Sequence, residues 1–268
     1  MRTLKSVALI AIGLVLVVRF AHAQIDRLPP TATSPEIIHV NGVWSDEVDS
    51  ITNTKTLDSA LTAHGFPVKD YGVSHVHNPN NAPGRPLFNK LGADLDEVDV
   101  QTKWSNEALI AAASSDKTYL QLLGETYNRE YRNPARLNPT ERRVVQMAGR
   151  LKRVIRTRID AGQRFVIVVP HSQGNLYAEA AYAMLVHDGR VDVTSRTVVV
   201  GVAVPANRTP NGSYVTNSQD VVVAAARVRL HDPLPSTVTP CWPTASFCGL
   251  AVAPVPLVVD QFFPLLSG

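Results

Sequence analysis

From residue 36 to about residue 230, short apolar runs alternate with longer stretches whose apolar positions recur every three or four residues. That alternation predicts an α/β fold, a mostly parallel central sheet with helices on both faces. Glu36-Ile37-Ile38-His39-Val40 reads as a buried strand closed by Asn41-Gly42. A helix is expected over about residues 45 to 64, with Ser45 as its N-cap and Gly65 as its stop. Tyr71 to His77 reads as the next strand, and Asn78 to Gly84 as a loop. Residues 87 to 132 are helical in composition with no strong strand, so residues 78 to 138 form a helical insertion ahead of the next strand, placed where a lid could cover a site.

The clearest helix starts at Asn138-Pro139-Thr140-Glu141, where Asn caps, Pro suits the first helical position and Glu faces the helix dipole. Its apolar stripe is Val144, Ala148, Leu151, Ile155 and Ile159, and Gly162 ends it. The opposite face carries Arg142, Arg143, Arg150, Lys152, Arg153, Arg156 and Arg158 and reads as a solvated face rather than a binding patch. Arg164 to Val169 then forms a strand, the Ala-rich run after Gly174 a helix, and the Val-rich stretch from Arg196 to Pro205 one later strand. A further strand is expected within Ser213 to Val223.

The two ends depart from this pattern. Residues 1 to 23 combine a cationic start, the apolar run Val7 to Val18 and a closing Ala21-His22-Ala23. Such a segment is read as a secretory signal cleaved after Ala23, because the run is too short to span a hydrocarbon core roughly 30 Å thick. The expected location is therefore secreted or periplasmic, without a stable membrane anchor, and the mature domain would run over residues 24 to 268. The formal net charge of +3 is carried by Arg2, Lys5 and Arg19, so the rest of the chain balances and offers no electrostatic case for nucleic acid. In an oxidising compartment Cys241 and Cys248 would either close a short disulfide loop or remain two thiols. Residues 233 to 268 are an atypical Pro-rich tail whose one charge is Asp260. Two origins compete for it: a genuine apolar segment, or a terminus read in the wrong frame that has lost a native histidine.

The informative stretch is Val166-Ile167-Val168-Val169-Pro170-His171-Ser172-Gln173-Gly174-Asn175, a strand, a sharp turn and a helix start with Ser172 in the turn. It resembles the nucleophile elbow of the α/β-hydrolase superfamily, most like its secreted esterases and lipases, whose pattern is Gly-x-Ser-x-Gly. Pro170 stands here in the first glycine position. A serine hydroxyl is a weak nucleophile, so such sites hold it at a strand end beside a histidine base, with backbone amides aimed at the developing oxyanion. The resemblance implies Ser172 as nucleophile and the amide of Gln173 as one oxyanion donor. It implies the amide of Val43, in the loop His39 to Trp44, as the other. It further implies an acid after the elbow, for which Asp220 is chosen over Asp188 and Asp192. By elimination the histidine after that acid is His231, although eleven residues is a tight separation from Asp220.

The expected function is hydrolysis of a small-molecule or lipid carboxylic ester through an acyl-serine intermediate. A peptidase or thioesterase with the same triad is an enzymatic rival. A non-catalytic or truncated hydrolase-fold binding protein with an incomplete triad is the rival from another class. His75 and His77 alternate along one strand but bring no third ligand at a familiar spacing, and neither a phosphate loop nor a nucleotide fingerprint is present. Neither metal nor cofactor is expected. The Asn207-Arg208-Thr209 and Asn211-Gly212-Ser213 acceptor patterns receive no function.

Overall fold

The computed structural model describes residues 35–42, 47–63, 73–78, 87–216 and 228–230. In chain order these contain β1 (Glu36–Val40), α1 (Glu47–Ala63), β2 (Val73–Val76), α2 (Leu87–Ala112), α3 (Tyr119–Arg132) and α4 (Pro139–Asp160). There follow β3 (Val166–Pro170), α5 (Gly174–His187), the short α6 (Val191–Thr194), β4 (Thr197–Val199), β5 (Gly201–Val202) and β6 (Tyr214–Val215). The main sheet is parallel throughout, in the order β2-β1-β3-β4, and β5 pairs with β6 in a second small parallel sheet. The α/β architecture expected from the alternating pattern is therefore present.

Both faces of the sheet are covered, which is why its strands are apolar on both sides. Ile37, Ile167 and Val169 pack against Leu57 and Leu61 of α1. Ile38, Val40, Val166 and Val168 point the other way, into a larger core built by α2 through α5. Within that core Trp104 meets Tyr127 edge to face, with ring centroids 5.1 Å apart.

Local chemistry sets the helix boundaries. Asn138 and Glu141 form a reciprocal capping box at the start of α4, and Thr118 with Gln121 does the same for α3. The predicted stripe of α4 is buried along its whole length, and Gly162 leaves the helix at φ 98°.

The basic face of α4 is largely exposed, as expected, with Arg142, Arg150, Arg153, Arg156 and Arg158 open to solvent, and some of its cations also tie the fold together. Arg143 pairs with Glu97 of α2 at 2.9 Å, Lys152 with Asp188 at the end of α5 at 2.5 Å, and Arg158 with Glu36 of β1 at 3.3 Å. Arg150 also reaches the His77 carbonyl. These partners are remote in sequence, so helical periodicity alone could not reveal them.

One expectation is corrected: Arg196 to Pro205 is not one strand. Val200 N donates to Val168 O and Ser172 N to Val202 O, at 2.8 and 2.9 Å. At the intervening level stands Pro170, which has no N–H to offer. β4 ends there at Val199 and β5 opens at Gly201, whose N–H turns to Ser213 O at 2.8 Å.

Candidate active site

β1 leads on to β2 on one side of the sheet and β3 to β4 on the other, so the strand order reverses between β1 and β3. In open α/β sheets the crevice beyond the carboxyl ends of the strands at such a reversal is where ligands bind. Here β1 ends in Asn41-Gly42 and β3 ends in His171-Ser172.

Ser172 lies in the turn between β3 and α5 with φ 52°, a left-handed conformation that costs a non-glycine residue roughly 1–2 kcal/mol. The turn is held from both sides. His171 N donates to Val40 O and Ser172 N to Val202 O, both at 2.9 Å. Asn175 Nδ2 donates to the carbonyls of Ser172 and Val202 at 2.8 and 2.9 Å. Two glycines permit the close approach. A Cβ on Gly42 would stand 2.6 Å from Ser172 Cβ, and one on Gly174 would stand 2.7 Å from Val40 O. Pro170 is accommodated because the ladder bond to Val40 comes from His171 instead.

The first amides of α5 supply the local electrostatics. Gly174 N and Asn175 N donate back to His171 O and Ser172 O, whereas the amide of Gln173 has no acceptor among the described residues. An unpaired N–H at a helix start, directly after a strained serine, is a ready donor to an anionic oxygen.

Beneath that amide the Gln173 side chain is fully buried in a polar network. Its Nε2 lies 3.3 Å from Glu97 Oε2, 3.2 Å from Gln101 Oε1 and 3.4 Å from the Tyr177 hydroxyl oxygen. Its Oε1 accepts from Asn78 Nδ2 at 3.4 Å, and Asn78 N in turn donates to Asn41 Oδ1 at 2.7 Å. Sequence reasoning missed Glu97, Gln101, Tyr177 and Asn78. The available signal was positional: Glu97 and Gln101 share the inward stripe of α2 with Trp104 and Ala108, and Tyr177 stands one turn after Gln173.

His39 and His75 are register partners on adjacent strands. Thr54 Oγ1 donates to Ser50 O at 2.7 Å, so in the 3.0 Å contact with His39 Nδ1 the ring nitrogen is the donor. Burial, with the nearby His171 and His75, pushes His39 down to about 3, so it stays neutral at ordinary pH. No group of three His, Cys, Asp or Glu among the described residues is arranged to hold a metal ion.

Ser172 and Gln173 are thus adjacent at the switch point, with Gly42 of the β1 loop against the serine. Val43, Asp220 and His231 lie outside the described residues. The two competing acids are engaged elsewhere: Asp188 pairs with Lys152 at the end of α5, and Asp192 with Arg190 at 2.8 Å, which holds its carboxyl down at about 2. No described helix is long and apolar enough to cross a membrane. No family model matches this chain, and no curated protein or solved structure is significantly similar to it.

Proposed function

We propose that this chain is a serine hydrolase of the α/β-hydrolase type that cleaves carboxylic esters. The observation that carries the reading is the strained Ser172 at the strand-order reversal, followed directly by the amide of Gln173 at the start of α5, which has no acceptor among the described residues. Strain of this kind persists only where the surroundings impose it, and here it falls on a buried serine in the turn after the strand end. The intrusion of Gly42 to within a Cβ's reach of Ser172 supports the loop after β1 as the source of a second donor, assigned to Val43.

In this reading the Ser172 hydroxyl attacks the ester carbonyl while His231 takes its proton, oriented by Asp220. The tetrahedral oxyanion is held by the amides of Gln173 and Val43. Its collapse breaks the bond to the alcohol, which leaves with the proton from His231. Water then attacks the acyl-serine by the same proton path, releasing the acid and regenerating Ser172. The substrate is a small-molecule or lipid ester, with selectivity assigned to the insertion over residues 78 to 138, and the enzyme acts outside the cytoplasm after removal of residues 1 to 23.

The test is covalent labelling by a fluorophosphonate probe and turnover of p-nitrophenyl butyrate. Wild-type protein should be labelled and Ser172→Ala should not, with turnover falling by about three orders of magnitude or more. A folded wild-type protein that neither labels nor turns over the ester refutes the reading.

A further inference from the structure

Of the polar side chains around the elbow, one carboxylate is wholly buried and lies against the side chain of the residue proposed as oxyanion donor. Glu97 comes from α2 in the insertion, and its side chain is fully buried. All its acceptor capacity is directed. Oε1 takes the Arg143 Nε–H at 2.9 Å, and Oε2 takes the Tyr177 hydroxyl at 2.6 Å and lies 3.3 Å from Gln173 Nε2. Tyr177 is itself within 3.4 Å of Gln173 Nε2, so the carboxylate and the phenol hold the same side-chain amide from two directions. On its other side Gln173 is tied through Asn78 to Asn41, the residue before Gly42. One buried chain of hydrogen bonds therefore joins α2 to both strand ends that flank Ser172.

We propose that Glu97 is a positioning residue for the oxyanion donor. By anchoring the Gln173 side chain it sets the direction of the Gln173 backbone N–H, which has no other partner among the described residues. The inference rests on the hydrolase reading and goes beyond it: the insertion reaches under the catalytic turn as well as contributing to its surroundings. An anchored side chain one bond from the donor is an economical way to keep an unpaired N–H aligned, because an oxyanion donor acts only if it is in place before charge develops.

Glu97→Gln tests this with little change in shape. A carboxamide has one acceptor oxygen, so its NH₂ must face either the Arg143 N–H or the Gln173 NH₂, and one anchor is lost whichever way it turns. Tyr177→Phe is the milder companion, removing only the hydroxyl. Glu179→Gln, another buried carboxylate on α5 but away from the turn, is the control. The readouts are kcat and KM for p-nitrophenyl butyrate, Ki for an alkyl trifluoromethyl ketone, which binds as a serine hemiketal with its oxygen in the oxyanion site, and circular dichroism for folding.

The expected result is a fall in kcat of about tenfold to a hundredfold in Glu97→Gln with KM little changed, and a rise in Ki by a similar factor. Tyr177→Phe should show a smaller change of the same kind and Glu179→Gln none. If Glu97→Gln fails to fold, Tyr177→Phe decides by the same split between kcat and KM. Wild-type kcat and Ki in a folded Glu97→Gln, or in Tyr177→Phe where that variant decides, overturn the positioning role and leave the hydrolase reading intact. Equal losses in Glu97→Gln and Glu179→Gln also overturn it, since they would report general packing. Wild-type protein that is folded yet inert removes both proposals together.

Discussion

Glu97 and Glu179 are both acids in the helical layer, 0% and 1% exposed, and the protein gives them different partners. Around Glu97 the protein supplies a cation, Arg143 at 2.9 Å, together with a phenol and a carboxamide. Glu179 receives the Tyr119 hydroxyl at 2.8 Å and the Arg208 N–H at 3.0 Å but has no ion pair among the described residues. Burial there outweighs both hydrogen bonds and pushes the carboxyl up to about 8, so it is largely protonated at neutral pH. Tyr119, squeezed by the same burial and by Glu179, is raised well above its ordinary value. Equal depth therefore does not mean equal surroundings: of these two buried acids, the one with a cation at contact distance lies beside the Ser172 turn.

The largest effect is expected for Glu97→Ala, which leaves the Gln173 amide and the Tyr177 hydroxyl without their shared acceptor and opens a void. A loss of about 3 kcal/mol or more in urea-unfolding free energy is expected. A loss below about 1 kcal/mol would mean that the ion pair is dispensable to the fold.

Glu179→Gln should act in the opposite direction and in a pH-dependent way. The folded-state pKa is raised, so the stabilising contribution is complete below the unfolded value of 4.5 and is lost as pH rises through about 8. The glutamine mimics the protonated acid and should abolish that loss, leaving the variant more stable than wild type by a few kcal/mol at pH 9. Parallel stability profiles for the two proteins would refute the assignment.

His39 offers the same logic with the sign reversed. Its folded value of about 3 lies below the ordinary 6.5, so the unfolded chain takes up the proton first and stability falls as pH drops from 6.5 towards 3. His39→Gln should show a shallower acid-side decline in thermal melts, whatever its melting temperature at neutral pH.

The smallest effect is expected for Tyr119→Phe. It removes the donor to Glu179 and the 2.5 Å contact with Ser105, costing about 1 kcal/mol at pH 6. Because that donor lowers the Glu179 pKa, the alkaline inflection should move up in the variant; an unmoved inflection would separate the two groups.

Much of the site's frame was legible because it is local. The turn from β3 into α5 is written in a handful of consecutive residues, and so is the capping box at Asn138. The inward stripe of α4 repeats within a single helix and was equally readable. The break between β4 and β5 was not, since its cause is Pro170 on the neighbouring strand, about 30 positions earlier in the chain. The pairing role of the α4 cations was hidden for the same reason.

Local sequence was enough for the α/β alternation, the Asn138 cap, the inward stripe of α4 and the sharp serine turn, because each is specified by side chains within one or two helical turns of one another. What only the tertiary structure decided is which buried acid meets a cation, and that Asn41, Asn78, Glu97, Gln173 and Tyr177 form one network. Those contacts depend on where α2 packs against α5 and the turn that precedes it. That placement is set by nondirectional burial of apolar surface over the whole helical layer, and no local pattern encodes it.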